Sequence, residues 1–172
     1  METQSKYSVF LVDDDTMYLA SLKNSLQQQF GSLLKIFEYK SGEECIEHVD
    51  ETTDIVILDY YLNDGKNPVA MDGMKVLKEI KAISKDIVVI MISGQDKLQV
   101  ALDSIKNGAS DYIAKTESAF IIIQNTLKNA IESIKSAREN NKFFKWNITL
   151  AIIIVAIILV DVIWYYSYHY VF

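Results

Sequence analysis

Aspartate, serine and lysine side chains at four places in this chain could together hold a divalent cation and a phosphoryl group. They are Asp13-Asp14-Asp15, Asp59, Ser93 and Lys115, and each follows a short apolar run. Carboxylates about 4 Å apart repel one another by roughly 1 kcal/mol per pair in water and about 4 kcal/mol at an effective dielectric of 20. Mg²⁺, which prefers oxygen ligands, would relieve this repulsion. The lysine adds a positive charge and the serine adds a hydroxyl donor.

Asp59 is the candidate nucleophile, because it stands alone at the end of an apolar run and faces the other groups. A carboxylate can attack phosphorus and form an acyl phosphate, whose oxygens a metal ion and a lysine would neutralise. The alternative is that acids placed after strands only cap the helices that follow. That alternative stays open for Asp13 or Asp15 taken alone, and it explains the whole set less well.

The apolar runs before these residues predict strands that are buried on both faces of a parallel sheet. They cover residues 9–12, 55–58, 87–92 and 112–114, and a fifth run at 34–39 alternates apolar and polar residues like an outer strand. Ligands of such sheets bind beyond the carboxyl ends of the strands. The four polar groups should therefore gather at one edge of the sheet.

Helical spacing of apolar residues separates and follows these strands. Thr16 is predicted to cap the first helix and Ser41 the second, while Asn107-Gly108 should close the fourth. The third helix is predicted around Met74 to Ile83, the fourth around Leu98 to Ile105, and the fifth from Phe120 onward. Five β–α units in series predict an α/β fold, a doubly wound parallel sheet with helices on both faces.

Length and composition narrow the class of protein. A chain of 172 residues fits one domain plus an appendage, and a formal net charge of -6 argues against a general nucleic-acid binder. Cys45 is the single cysteine, which excludes an intrachain disulfide, and its setting favours a small core residue. No apolar stretch of signal-peptide type precedes the first strand, so the domain is expected to fold in the cytoplasm.

The C-terminal part of the chain predicts a single transmembrane helix. Residues 148–164 are almost continuously apolar, and aromatic residues flank both ends. A core helix of a soluble domain is the weaker alternative, since such a helix needs protein on every side. Basic residues flank only the N-terminal side of the span, which places the preceding domain in the cytoplasm and the tail outside. These basic residues are Lys135, Arg138, Lys142 and Lys145.

These signals predict four segments. They are a domain at 1–138, a juxtamembrane linker or continuous helix at 139–145, a transmembrane helix at 146–166 and a short extracytoplasmic tail at 167–172. With no Gly or Pro after Ser118, the last helix is expected to continue into the membrane. Asp161 is either an acid that reaches the interface or one that pairs with a partner helix. The span has no Gly-x-x-x-Gly pattern, and a homodimer stays among the candidate assemblies.

Residues 7 to about 138 resemble the receiver domain of two-component response regulators. The resemblance rests on five short segments in order: Val-Asp-Asp-Asp at 12–15, Ile-Leu-Asp at 57–59, Met-Asp-Gly at 71–73, Ile-Ser-Gly at 92–94, and Gly-Ala-Ser-Asp-Tyr-Ile-Ala-Lys at 108–115. It implies a flavodoxin-like sheet with strand order 2-1-3-4-5. It further implies a phosphoprotein whose chemistry is self-phosphorylation and autodephosphorylation rather than enzymatic turnover.

By this resemblance Asp59 is the phosphoacceptor and Lys115 pairs with the phosphoryl group. Ser93 is the switch hydroxyl and Tyr112 the aromatic residue that responds to it. The resemblance also implies a magnesium site whose ligands are Asp13, Asp14, Asp59 and the backbone carbonyl of Tyr61. The expected partners are a histidine kinase or another phosphodonor and an unknown protein effector, which could be a membrane protein.

Two departures from the family pattern concern the site. Thr116 stands where the family usually has a proline after a cis bond, and a cis bond before threonine costs about 3–4 kcal/mol. A trans bond and a less well placed Lys115 are therefore expected. The stretch 60–71 is longer than usual by about six residues and has turn-rich pairs, which predict a flap beside the site. Tyr61 could shield an acyl phosphate from water.

The sequence therefore predicts a receiver anchored in the cytoplasmic membrane that accepts a phosphoryl group on Asp59. The main alternative is a receiver-fold subunit of a membrane assembly that is not phosphorylated. A phosphatase of the haloacid dehalogenase type is a weaker alternative. Its motif needs Asp-x-Asp-x-Thr/Val, whereas Asp13-Asp14-Asp15-Thr16 is followed by Met17.

Overall fold

Strands and helices alternate in the computed structural model of the chain, which describes residues 7–62, 70–94 and 98–171. In chain order the elements are β1 (Tyr7–Val12), α1 (Thr16–Phe30), β2 (Leu34–Tyr39), α2 (Gly42–His48), β3 (Ile55–Asp59), α3 (Gly73–Ile83), β4 (Val88–Ser93), α4 (Leu98–Lys106), β5 (Asp111–Ala114) and α5 (Ala119–Val171). A 3₁₀ turn at Gly31–Leu33 joins α1 to β2. The predicted succession of five β–α units is confirmed.

The five strands form one parallel sheet in the order β2-β1-β3-β4-β5, as predicted. The alternating strand β2 lies at an edge, and the fully buried β3 lies at the centre. In register, Asp59 at the end of β3 is paired with Ile92, and Ser93 at the end of β4 is paired with Ala114. The carboxyl ends of β3, β4 and β5 therefore lie side by side.

Apolar side chains cover both faces of the sheet. On one face Val56, Leu58 and Met91 join a core with residues of α2 and α3 such as Cys45 and Leu77. Cys45 is fully buried, and burial raises the pKa of its thiol to about 12, so it is a core residue rather than a reactive one. Alternation along the strands turns the intervening residues toward the other face. Helices α1 and α5 contact each other, since Gln124 Nε2 donates to Ser25 Oγ at 2.8 Å.

One predicted helix cap was wrong and one is confirmed. The N-cap of α1 is Asp15, whose Oδ1 accepts from the amides of Met17 at 2.9 Å and Tyr18 at 3.1 Å, and Thr16 is the first helical residue. A carboxylate also gains from the positive end of the helix dipole, which favours Asp15 over the neutral threonine hydroxyl. Ser41 caps α2 as expected, with its Oγ accepting from the amide of Glu44.

Helix α4 exposes several of the apolar residues whose spacing predicts the helix. Leu98 is 75% exposed, and Leu102 and Ile105 are both about half exposed, at 45% and 48%. The fully buried residue is Ser104, whose hydroxyl donates to the carbonyl of Val100 at 2.8 Å within the helix. A small residue that satisfies its own hydroxyl thus occupies the core-facing position.

The chain divides into two compact units between Ile131 and Glu132. The N-terminal unit contains the sheet and its helices. In the C-terminal unit, α5 continues without a break to Val171, and its described apolar side chains from Ile148 to Trp164 are exposed. Among the described residues, one helix is long and apolar enough to cross a membrane, and its span is Ala119–Trp164. This helix is a candidate membrane span by its length and composition alone.

Candidate functional site at the carboxyl edge of the sheet

Four of the side chains selected from the sequence lie at the carboxyl edge of the sheet. Asp13 directly follows β1, Asp59 ends β3, Ser93 ends β4 and Lys115 directly follows β5. Because β1, β3, β4 and β5 are neighbours in that order, a single parallel sheet brings together residues that are up to 102 positions apart in the chain. This is the convergence that the apolar runs predict.

Lys115 bridges two buried aspartates. Its Nζ donates to Asp13 Oδ2 at 2.7 Å and lies 3.0 Å from Asp59 Oδ1. The second contact is a close ion pair without hydrogen-bond alignment, since Asp59 Oδ1 has no hydrogen-bond partner among the described residues. Asp13 is 1% exposed and Asp59 is 3% exposed, so the surrounding protein strengthens both contacts.

The Lys115–Thr116 bond does not displace the lysine. No described peptide bond is cis, as the threonine predicts. The expected misplacement of Lys115 was nevertheless wrong. The amide of Lys115 donates to the carbonyl of Ser93 at 2.7 Å, and the amide of Thr116 donates to the carbonyl of Ala114 at 2.8 Å. These two backbone hydrogen bonds position the chain after β5. The flexible side chain of Lys115 then reaches Asp13 and Asp59.

Three carboxylates at this edge suit a divalent cation. Asp13, Asp14 and Asp59 each offer an oxygen, and these oxygens lie within 4.8 Å of one another. Asp14 is exposed and the other two are buried, so the set is open to solvent on one side. Hard oxygen donors with an open side fit Mg²⁺, which retains several waters. Tyr61 follows Asp59 by two residues in the turn after β3. Asp15 is occupied as the helix cap.

Burial is the main influence on the ionisation of the two buried aspartates. It raises the pKa of Asp59 to about 6, with Asp13 and Asp14 adding to the rise and Lys115 opposing it. Burial also raises the pKa of Asp13, against the hydrogen bond from Lys115. For Lys115 burial lowers the pKa, but the hydrogen bond to Asp13 and the nearby carboxylates outweigh this and raise it. The single ammonium group of Lys115 therefore offsets only part of the free-energy cost of burying two ionised carboxylates.

Ser93 and Tyr112 lie on neighbouring strands beside this cluster. Ser93 is fully buried at the end of β4. Tyr112 is half-buried on β5 and packs against the core on the α2 and α3 face of the sheet. Their strands are paired, with Met91 opposite Tyr112 and Ser93 opposite Ala114. The two residues that the family resemblance links as a switch therefore belong to adjacent strands.

The Met-Asp-Gly segment sets the backbone beside Asp59. Asp72 caps α3 by accepting from the amide of Lys75 at 2.8 Å. Gly73 lies so close to β3 that a Cβ there would clash with the carbonyl oxygen of Asp59. Its amide donates to the carbonyl of Tyr60 at 3.2 Å. Glycine is required because α3 begins against the backbone of the candidate nucleophile. In the longer stretch at 60–71, residues 63–69 lie outside the described residues, and so does the predicted flap.

Tyr18 belongs to the site although its sequence position does not reveal it. Its ring centroid lies 4.5 Å from Lys115 Nζ, a cation–π contact, and 5.3 Å from the ring centroid of Phe120 in a T-shaped contact. The cap at Asp15 places Tyr18 in the first turn of α1, directly above the lysine. An aromatic residue in a first helical turn has no sequence signal that separates it from an ordinary packing residue.

Most of the chain matches a known protein family. Residues 9–132 match the family described as "Response regulator receiver domain". The Transcriptional regulatory protein ZraR of Escherichia coli K12 is 30% identical over 130 residues, which cover 75% of this chain and 27% of ZraR. The Chemotaxis protein CheY of Listeria monocytogenes is 29% identical over 115 residues, or 66% of this chain and 91% of that protein. The chain thus spans about a quarter of the length of the first curated relatives.

Solved structures show the same fold. The BeF3-activated DrrB receiver domain aligns with a TM-score of 0.63 at 24% identity, covering 74% of this chain and 98% of that domain. A CheY-like response regulator receiver domain protein from Methanospirillum hungatei JF-1 aligns with a TM-score of 0.64 at 22% identity, covering 77% of this chain and 99% of that protein. Both alignments cover about three quarters of this chain.

Proposed function

Because this chain belongs to the response regulator receiver domain family, we propose that Asp59 is its phosphoacceptor in two-component signalling. The observation that carries this proposal is the setting of Asp59 Oδ1. That oxygen is buried, lacks an aligned hydrogen bond among the described residues, and lies 3.0 Å from the ammonium group of Lys115. A carboxylate oxygen with no competing donor, next to a fixed positive charge, is suited to attack phosphorus.

In the proposed reaction a carboxylate oxygen of Asp59 forms a bond to the phosphorus of a phosphodonor. The bond from phosphorus to the donor's leaving atom breaks, and the electron pair leaves with that atom. The pKa of about 6 leaves Asp59 mostly ionised near neutral pH, so it can attack without a general base. Lys115 already lies beside this carboxylate and would neutralise charge on the transferred group.

Mg²⁺ fits the carboxylate cluster, and we assign its binding to Asp13, Asp14, Asp59 and the backbone carbonyl of Tyr61. When bound, the cation would neutralise negative charge on the phosphoryl oxygens. Asp13 contributes in two ways, because it also holds Lys115 through the 2.7 Å hydrogen bond. The amide of Asp15 donates to Asp13 Oδ1 at 3.0 Å, which restrains the orientation of that carboxylate.

Signal output is proposed to begin at Ser93. Its hydroxyl would turn toward a phosphoryl group on Asp59, and Tyr112 on the paired strand β5 would follow. Support comes from the register of β4 and β5 and from the half-buried position of Tyr112. A protein effector would read the resulting change, which is a local electrostatic event acting on a two-state surface. A histidine kinase or another phosphodonor would supply the phosphoryl group.

We also propose that α5 anchors the receiver in the cytoplasmic membrane. The apolar stretch 148–164 lies within a helix that is long enough to span a bilayer, and basic residues precede it. The chain should stay with membranes during alkaline carbonate extraction, and its receiver should be open to protease from the cytoplasmic side. Release into the supernatant would contradict the anchor without affecting the proposal for Asp59.

Phosphoryl uptake tests the proposed reaction. The full chain in detergent micelles is incubated with labelled acetyl phosphate, with Mg²⁺ or with EDTA. One phosphoryl group per chain is expected with Mg²⁺, little with EDTA, and none in Asp59→Asn. Asp54→Asn is the matched control, because Asp54 is a buried acid that accepts from the amide of Ser8 at the opposite end of the sheet. Absence of uptake in the wild type would favour a non-phosphorylated subunit.

A further inference from the structure

Two buried side-chain oxygens at the site lack a hydrogen-bond partner among the described residues. They are Tyr18 Oη, whose hydroxyl is a hydrogen-bond donor, and Asp59 Oδ1, a carboxylate oxygen that can only accept. Buried polar groups without partners are rare in folded proteins, and each lowers stability. The Tyr18 hydroxyl is thus a donor without an acceptor, while Asp59 Oδ1 has the ion pair with Lys115 at 3.0 Å. A group that grows outward from Asp59 and carries new acceptor oxygens could satisfy the donor.

The ring of Tyr18 has contacts on two sides, which restrain its position. Lys115 Nζ lies over the ring at 4.5 Å, and Phe120 packs against it at 5.3 Å with the rings inclined at 68°. The same ammonium group contacts Asp13 and Asp59. The ring of Tyr18 therefore lies beside the ion-pair cluster, and its hydroxyl oxygen is buried.

The chemistry of the hydroxyl suits a phosphoryl oxygen. Burial raises the pKa of Tyr18, and the charges of Asp13 and Asp59 raise it further, so the phenol remains a proton donor at neutral pH. Asp13 already accepts from Lys115 and from the amide of Asp15. A dianionic phosphoryl group would add three strong acceptor oxygens at this point.

We propose that the Tyr18 hydroxyl donates a hydrogen bond to the phosphoryl group carried by Asp59, which makes Tyr18 a phosphoryl-binding residue of this receiver. The inference rests on the proposed function, since it needs Asp59 to be phosphorylated. Tyr18 then acts in the phosphorylated form and is an unsatisfied donor in the other. Removing the hydroxyl should therefore weaken binding of the phosphoryl group and leave the fold of the unphosphorylated protein intact.

Beryllium fluoride, which mimics a phosphoryl group on aspartate, provides the test. Its affinity for the full chain in detergent with Mg²⁺ is measured by ¹⁹F NMR for the wild type and Tyr18→Phe. A hydrogen bond to a charged group predicts about tenfold weaker binding in Tyr18→Phe or more. Tyr7→Phe is the control, because Tyr7 is a buried tyrosine at the start of β1, at the other end of the sheet. Its affinity should be unchanged.

Two further readouts separate a ligand contact from a structural effect. Without beryllium fluoride, Tyr18→Phe should be at least as resistant to urea as the wild type, because the ring stays and an unsatisfied hydroxyl is removed. In the wild type, the ¹³Cζ resonance of Tyr18 should shift when beryllium fluoride binds. Equal affinity in Tyr18→Phe, or no shift of that resonance, would overturn the inference and leave Asp59 as the acceptor. Failure of the wild type to bind or take up phosphate would overturn both proposals.

Discussion

Replacing Asp59 with asparagine should stabilise the metal-free protein at neutral pH. Burial, with the charges of Asp13 and Asp14, raises the pKa of Asp59 from 3.8 to about 6 in spite of Lys115. Between these two values the folded protein binds the proton more tightly than the unfolded chain does. Folding stability therefore falls as pH rises from about 4 to about 6, and it stays low above that range.

The size of the effect follows from the pKa difference. About two pH units correspond to roughly 3 kcal/mol at neutral pH, and this is the penalty that a neutral asparagine avoids. Lys115 keeps a partner in the variant, since its 2.7 Å hydrogen bond to Asp13 is untouched. The gain in Asp59→Asn should thus approach roughly 3 kcal/mol and should not be cancelled by an orphaned ammonium group.

Urea unfolding of the full chain in detergent, followed by circular dichroism with EDTA present, measures this gain. The variant and the wild type should be similar at about pH 4 and should differ most at about pH 7.5. Asp14→Asn is the control, because Asp14 belongs to the same cluster but is exposed, and its gain should stay within about 0.5 kcal/mol. A variant that is less stable than the wild type at neutral pH would refute the reasoning, as would a gain that does not change with pH.

Three further substitutions test other parts of the site. Gly73→Ala should lower stability by about 1–3 kcal/mol, because the new Cβ meets the carbonyl oxygen of Asp59. Gly94→Ala, whose Cβ would meet no atom of the described residues within 4 Å, should have little effect on the melting temperature. Lys115→Met should lower stability at neutral pH by about 3 kcal/mol, since it removes the counter-charge of two buried acids, and added Mg²⁺ should restore part of it in urea titrations. Tyr61→Ala should shorten the lifetime of the acyl phosphate after the donor is removed; an unchanged lifetime would exclude shielding by that ring.

The fold was largely predictable because the strands are buried on both faces. Each central strand is a continuous apolar run, and the polar residue that stops the run marks the sheet edge where ligands bind. Asp59 and Lys115 were therefore identifiable without coordinates. The observed strand ends differ from the predicted ones by one or two residues. Strand β4 is Val88–Ser93 where 87–92 was predicted, because the pairing of Ser93 with Ala114 rather than residue polarity sets its end.

Other features depend on contacts that a linear pattern does not encode. The cap of α1 is Asp15 and not Thr16, because side-chain geometry decides which of two adjacent candidates reaches the free amides. Lys115 is well placed in spite of the threonine that follows it, since its long side chain accommodates the backbone. Tyr18 was missed because its importance arises from Lys115 and Phe120, which come from distant parts of the chain. Gly73 was identified by the family resemblance, but the requirement for glycine at this position comes from its close approach to the backbone of Asp59.

Locating the acyl phosphate tests the central claim most directly. The full chain is treated with acetyl phosphate and Mg²⁺, reduced with borohydride, digested and sequenced by mass spectrometry. Borohydride converts an aspartyl phosphate to homoserine, so the account predicts homoserine at position 59 only in protein that has been exposed to the donor. Unmodified Asp59 in donor-treated protein, or homoserine at position 13 or 14 in its place, would contradict it.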